Sequence, residues 1–383
     1  MSWKLATSAD IGQLRAEIAA SPRIALDTEF HAERRYLPQL FLVQLRTEAG
    51  RTWLIDALDP NVLPAIAADL VGSDWIVHGG AQDLRILLPL CGGLPARVHD
   101  TQVAAGLLGH RFPAGFGDVI ERWLGRSIDK AITLSDWSKR PLAREQLEYA
   151  ASDVEWLHPL WDRLAAEAAA KGRSDLLSLA CSEARDAAIS PPPPDWRRLP
   201  ASVILDGDGA AALEALVAWR EDLARVTDTP SRVILGDALL IELARRRPDS
   251  RQAMSANRKI SKSLVREHGD AIVETLAAAR ASGRRPAVIL HGSPASRRLA
   301  FLGALASVLG DLGGWATGLV LPPGPLEELA VLADPKPPSI DRILGWRAAL
   351  VGPEMASALA GGLSLRLVGG EVQVGVEPDA TAS

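Results

Sequence analysis

The chain has 383 residues, 48% hydrophobic and 23% charged, which suits a soluble globular protein of two or three domains and excludes collagen-like, coiled-coil and wholly disordered architectures. No apolar run approaches the roughly 18 residues of a membrane span, the first residues are too polar for a signal peptide, and the two cysteines, Cys91 and Cys181, have neither disulfide-framework nor metal-ligand spacing; a cytoplasmic protein with no membrane partner is expected. The 42 Lys and Arg against 47 Asp and Glu leave a net charge of −5, which argues against a nucleic-acid partner only if the charges are evenly spread.

In chain order, residues 23–30 (RIALDTEF), 40–46 (LFLVQLR) and 52–57 (TWLIDA) are short apolar runs between turn-length polar stretches, and read as an antiparallel meander. Residues 61–71 read as a helix and 75–79 (WIVHG) as a fourth strand. Residues 81–90 form a helix closed by Gly92-Gly93, and 97–101 a fifth strand feeding a helix over 102–108. From Leu142 the pattern is helical. Strands first, with helices on both faces, predict an α/β domain with a mixed sheet over residues 1–190. Four prolines at 191–194 cannot continue a helix or pair in a sheet, so 191–209 reads as a stiff linker. Beyond it, residues 210–226, 231–247 and 263–280 have helical periodicity and predict an all-α domain over 210–290. A second helical stretch from 295 to about 367 predicts another over 291–370, and residues 371–383 read as a tail.

Asp27 and Glu29 lie two apart on the first strand, so both carboxylates share a face, roughly 6.5–7 Å apart. Such a pair alone is more often a solvated face. Asp83 opens the helix after the fourth strand, where an acid is also a favourable dipole partner. Tyr149 and Asp153 are four apart on a helix and share a side; the chain has only two tyrosines, Tyr36 and Tyr149. Taken together, four carboxylates from strand ends and helices are what two divalent cations need for in-line phosphoryl displacement. An oxygen-only donor set favours Mg²⁺ or Mn²⁺.

Three segments carry a resemblance: Asp27-Thr28-Glu29-Phe30 with Pro38-Gln39-Leu40 and Val43-Gln44-Leu45; His78-Gly79-Gly80-Ala81-Gln82-Asp83-Leu84; and Tyr149-Ala150-Ala151-Ser152-Asp153-Val154. They resemble the exonuclease motifs of the DEDD superfamily, and within it the ribonuclease D family. Lys130, Asp136-Trp137 and Arg140-Pro141-Leu142 are similar to that family's stretch before the third motif. Thr229-Pro230, residues 239–244 and Pro248 resemble an HRDC domain, and Gly345-Trp346-Arg347 within 340–350 resembles a second, diverged one. At Asn257-Arg258 the chain departs from a glycine common in HRDC domains.

The resemblance implies a ribonuclease H-like exonuclease domain followed by two HRDC-like helical domains. It implies that Asp27, Glu29 and Asp153 hold a first metal, that Asp27 also touches a second, and that Asp83 acts on the second through water. Tyr149 would orient the attacking water, placing the chain in the tyrosine subclass; the histidine-subclass position is occupied by Glu148. The implied reaction is 3′→5′ removal of 5′-nucleoside monophosphates from RNA with a free 3′ end, such as tRNA precursors, by a monomer. A DNA-directed exonuclease with the same motifs, or an RNA-binding scaffold with a vestigial nuclease domain, are the alternatives.

The charge is uneven. Residues 1–190 carry 20 Lys and Arg against 25 Asp and Glu, whereas residues 210–295 carry 14 against 10. Lys130, Arg140, Arg258 and Lys259 are the expected contacts to the substrate backbone, with a salt-dependent contribution. His31 and His78 flank the motifs and are expected to serve packing. There is no Walker A sequence, no dinucleotide fingerprint and no serine-nucleophile elbow.

Overall fold

The structure, a computed structural model, describes residues 3–127, 136–191, 194–199, 205–290 and 292–376. Its first part alternates β1 (Trp3–Leu5), α1 (Ile11–Ala19), β2 (Arg23–His31), β3 (Gln39–Thr47), β4 (Thr52–Asp56), α2 (Val62–Leu70), β5 (Asp74–Val77), α3 (Ala81–Cys91) and β6 (Val98–Asp100). Helices α4 (Thr101–Leu107), α5 (Phe116–Leu124), α6 (Arg144–Glu155), α7 (Leu157–Ala170) and α8 (Ser174–Ile189) follow. The six strands form one sheet in the order β1-β4-β3-β2-β5-β6. The β2-β3-β4 meander is antiparallel as expected, while β5 and β6 run parallel to β2. The expected five strands are present; β1 adds a sixth, parallel to β4, and at three residues it is too short to show alternation.

Alternation along β2 sorts the core. Ile24 and Leu26 join Trp53, Trp75 and the apolar sides of α1, α2 and α3 on one face; Ala25 joins α4, α5, α7 and α8 on the other. Helix α6 lies across β3 and β4, where its Leu147, Ala150 and Ala151 meet Phe41, Leu42 and Leu54. Residues 25, 27 and 29 therefore share the face that α6 and α7 cover. Thr28 shares the face covered by α3.

The chain then builds α9 (Gly207–Thr227), α10 (Ser231–Ile234), α11 (Asp237–Arg246), α12 (Arg251–Ser255) and α13 (Lys262–Ala281). The helix expected over 231–247 is broken at Leu235-Gly236, both extended. The buried Arg220 of α9 explains the break. It donates 2.7 Å bonds to the freed Leu235 carbonyl and to Asp237. At the departure from the HRDC glycine, Asn257 makes the turn itself, its side-chain oxygen accepting from the Lys259 N–H at 3.0 Å.

Last come α14 (Pro294–Gly313), α15 (Thr317–Val320), α16 (Pro323–Val331), α17 (Pro337–Leu344), α18 (Ala348–Leu359), β7 (Leu363–Val368) and β8 (Glu371–Val376). The helical pattern expected to about 367 stops earlier. Alternating Leu363, Leu365 and Leu367 form a strand, turned by Gly369 and Gly370 at positive φ into an antiparallel hairpin that takes in part of the expected tail.

The compact units do not follow chain order. One comprises Met1–His31, Gln39–Pro191 and Leu299–Ser383; the other comprises Ala32–Pro38 and Pro192–Arg298. In the first, Arg347 forms a two-pronged pair with Glu183 of α8 at 2.6 and 2.8 Å, Trp346 donates to the same carboxylate, and Leu319 enters the core of α4 and α7. Gly345-Trp346-Arg347 thus anchors the C-terminal segment to α4, α7 and α8.

Candidate active site

Strand β2 and helix α6 bring three acids together. One carboxylate oxygen from each of Asp27, Glu29 and Asp153 lies within 4.8 Å of the others, and each residue is partly exposed. Period-two alternation aligns Asp27 with Glu29, and the buried Ala150, Ala151 and Val154 hold α6 so that Asp153 faces them. Tyr149, one turn earlier, is hydrogen-bonded to Asp153. Glu148 instead points away into an exposed pair with Arg144 at 2.8 Å.

Asp83 is near this trio but separate from it. It is buried at the start of α3, on the other face of β2, where its carboxylate accepts a short hydrogen bond from the Thr28 hydroxyl. The turn that delivers it is tightly specified. Gly79 has φ +62°, and a Cβ on Gly80 would lie 2.6 Å from Val77. The Asp100 carboxylate accepts from the N–H groups of Gly79, Gly80 and Gln102 at 2.9, 3.2 and 2.8 Å. Asp100 thereby caps α4 and shapes the preceding loop. Its role was readable in part, because an Asp between a strand and a helix is an N-cap signal.

The electrostatics are those of a site short of positive charge. Burial raises the Asp27 carboxyl well above its usual range, and the charges of Asp83, Asp153 and Glu29 push it further. Burial with the Asp153 and Asp83 charges lifts Glu29 to about 8, and burial lifts Asp153 to about 7 against the hydrogen bond from Tyr149. Asp83 is raised by burial, with Thr28 offsetting part of the effect. The Tyr149 hydroxyl is raised by burial and by the charges of Asp153, Glu29 and Asp27. None of the four acids has a Lys or Arg partner among the described residues. Gln44, directly across from Asp27 on β3, is wholly buried with both amide atoms unpartnered. Unpaired acids, oxygen-only donors and an orphaned amide suit a divalent cation bound here.

The other expected residues fall elsewhere. Lys130 lies outside the described residues. Arg140 is tied into the fold. All five of its N–H donors are used: Nε and Nη2 on Asp56 at 2.6 and 2.5 Å, Nη1 on the Trp137 and Lys139 carbonyls, and Nη2 also on the Phe41 carbonyl. Arg258 and Lys259 are exposed in the α12–α13 turn and form no ion pair among the described residues. His78 is a packing residue as expected, its ring nitrogens 2.9 Å from the Thr101 hydroxyl and 3.0 Å from the Ala114 carbonyl.

Residues 4–169 match the 3′–5′ exonuclease family, and residues 210–276 match the HRDC domain; the second HRDC-like domain expected over 291–370 lies outside that match. Ribonuclease D of Acidiphilium cryptum is 32% identical over 96% of this chain and 95% of that protein. Ribonuclease D of Escherichia coli is 33% identical over 71% of this chain and 74% of that protein. The crystal structure of Escherichia coli RNase D, an exoribonuclease involved in structured RNA processing, superposes with a TM-score of 0.75 at 26% identity, covering 94% of this chain and 99% of that one. Since the likeness runs through both the exonuclease part and the helical part in the same order, this chain belongs to the ribonuclease D family.

Proposed function

We propose that this chain is a metal-dependent 3′–5′ exoribonuclease that trims structured RNA such as tRNA precursors and releases 5′-nucleoside monophosphates. The observation that carries this reading is the convergence of Asp27, Glu29 and Asp153 within 4.8 Å, with no cation partner among the described residues. Asp27, Glu29 and Asp153 would hold one Mg²⁺ or Mn²⁺, and Asp27 and Asp83 would serve a second. When bound, such ions supply an acidified water and stabilise charge on the departing oxygen.

The protein's own groups do the rest. Tyr149, kept protonated by burial and by its negative surroundings, retains an O–H to orient the attacking water, and the Asp153 carboxylate fixes that hydroxyl. This is the tyrosine-subclass arrangement. The first HRDC domain (210–290, after the 191–209 linker) and the HRDC-like segment over 291–370 hold the RNA body. Arg258 and Lys259 contribute phosphate contacts, and Lys130 contacts the substrate beside the site. The protein acts as a monomer in the cytoplasm.

A time course on a 3′-extended tRNA tests the reading. Release of 5′-monophosphates should stop with chelator, return with Mg²⁺ or Mn²⁺, and proceed more slowly on a matched DNA strand. Internal cuts, or products ending in 3′-phosphate, would overturn it.

A further inference from the structure

From Leu42 to Leu45 every residue of β3 is wholly buried, and all are aliphatic except Gln44. Val43 and Leu45 turn into the core that α1, α2 and α3 cover. Gln44 faces the other way, between Asp27 of β2 and Leu54 of β4, its direct neighbours across the sheet. Among the described residues neither its amide nitrogen nor its amide oxygen has a hydrogen-bond partner. Buried amides are almost always bonded, because burying one unbonded forfeits its hydration. A leucine of similar volume would avoid that cost, so packing alone does not call for glutamine here.

The surroundings narrow what the amide serves. Leu42 and Leu54 offer it nothing polar, and α6 contributes Leu147, Ala150 and Ala151 to the same apolar cluster. Arg46, two residues along on the same face, gives its guanidinium to the Thr52 hydroxyl at 2.8 Å. That leaves the acids. Asp153 has the Tyr149 hydroxyl and Asp83 the Thr28 hydroxyl, whereas Asp27 has no side-chain donor among the described residues. Directly opposed residues have Cβ atoms roughly 4.5–5.5 Å apart, so Gln44 reaches the Asp27 carboxylate by turning about its own side-chain bonds, with the sheet unmoved. A neutral donor suits that task. It orients a carboxylate without supplying the positive charge that a cation is there to bring.

We infer that Gln44 is a positioning residue for the exonuclease reaction: its amide donates to the Asp27 carboxylate and fixes the direction in which that acid meets a cation shared with Glu29 and Asp153. This rests on Asp27 being a metal ligand. The amide is then kept at some cost to the fold, as polar groups at reaction centres often are.

The test uses the full chain. Gln44→Leu fills the place with apolar atoms, and Gln44→Met keeps the length and flexibility of the side chain without its donor. In both, Mn²⁺ affinity measured by calorimetry without RNA should weaken about tenfold, as when groups that orient metal ligands are lost. On an RNA of about five nucleotides, kcat should fall about tenfold with KM within about twofold. The urea midpoint of Gln44→Leu in chelator should meanwhile rise, by on the order of 0.3 M. A lower midpoint in both variants would make the amide a support of the fold and overturn the assignment. So would unchanged Mn²⁺ affinity, or full recovery by methionine, which would make shape rather than donation the cause. A wild-type protein that neither binds Mn²⁺ nor releases nucleotides with it would overturn the exonuclease reading, and the assignment with it.

Discussion

Glu29 and Asp56 stand in one row of the sheet, each directly across from Leu42, at the ends of β2 and β4. Two strand spacings separate them, about 10 Å. Burial raises the Asp56 carboxyl, but the Arg140 guanidinium on both its oxygens and the Leu58 N–H outweigh that and hold it below the usual range. Glu29 has no such partner, and its carboxyl is driven up to about 8. The same strand-end position therefore serves two ends. An acid supplied with an arginine braces the fold, and an acid denied one is kept ready for an external cation.

Removing a charge from the unpaired side should break function. Asp153→Asn is expected to slow nucleotide release about 10³-fold, equivalent to about 4 kcal/mol of transition-state stabilisation, with an unchanged circular dichroism spectrum. A rate within threefold of wild type on a 3′-tailed RNA would show that the trio is not the reaction centre. Removing the partner from the paired side should damage stability instead. Arg140→Ala strands Asp56 and three carbonyls and should cost about 3 kcal/mol in urea unfolding, while KM for RNA stays the same. A raised KM without that loss would support Arg140 as a substrate contact.

The smallest effect has the opposite sign. The native carboxyls of Glu29 and Asp153 titrate near 8 and 7, above the unfolded range near 4, so between those values the folded state binds more protons than the unfolded state. Metal-free protein should accordingly lose stability as pH rises from about 4 to about 8. Asp27→Asn should be more stable than wild type near pH 8 in chelator, on the order of 2 kcal/mol, and saturating Mg²⁺ should reverse the ranking. Equal unfolding midpoints in chelator would mean that the acids are not mutually repelling.

Much of this could be read from residue order. The two periodicities of 2 and 3.6 suffice to align Asp27 with Glu29 and Tyr149 with Asp153, and apolar runs suffice for β2 through β6. Asp83 needed the fold, because strand alternation turns Thr28, not Asp27, toward it. The tie of Arg140 to Asp56 was not legible, because its partner lies 84 residues away, beyond any local pattern. Trp3–Leu5 is too short to announce itself, and an ion pair between Arg35 and Asp228 links segments whose proximity only the folded chain reveals.

The joining of Leu299–Ser383 to the unit that begins at Met1 has a consequence for synthesis. A ribosome makes the exonuclease core first, and Leu319, Trp346 and Arg347 follow only later to complete the surface of α4, α7 and α8. The nascent nuclease must wait with that apolar bed open until residues 319–347 have followed it. A message broken before those codons would yield a nuclease whose α4, α7 and α8 keep that apolar surface bare.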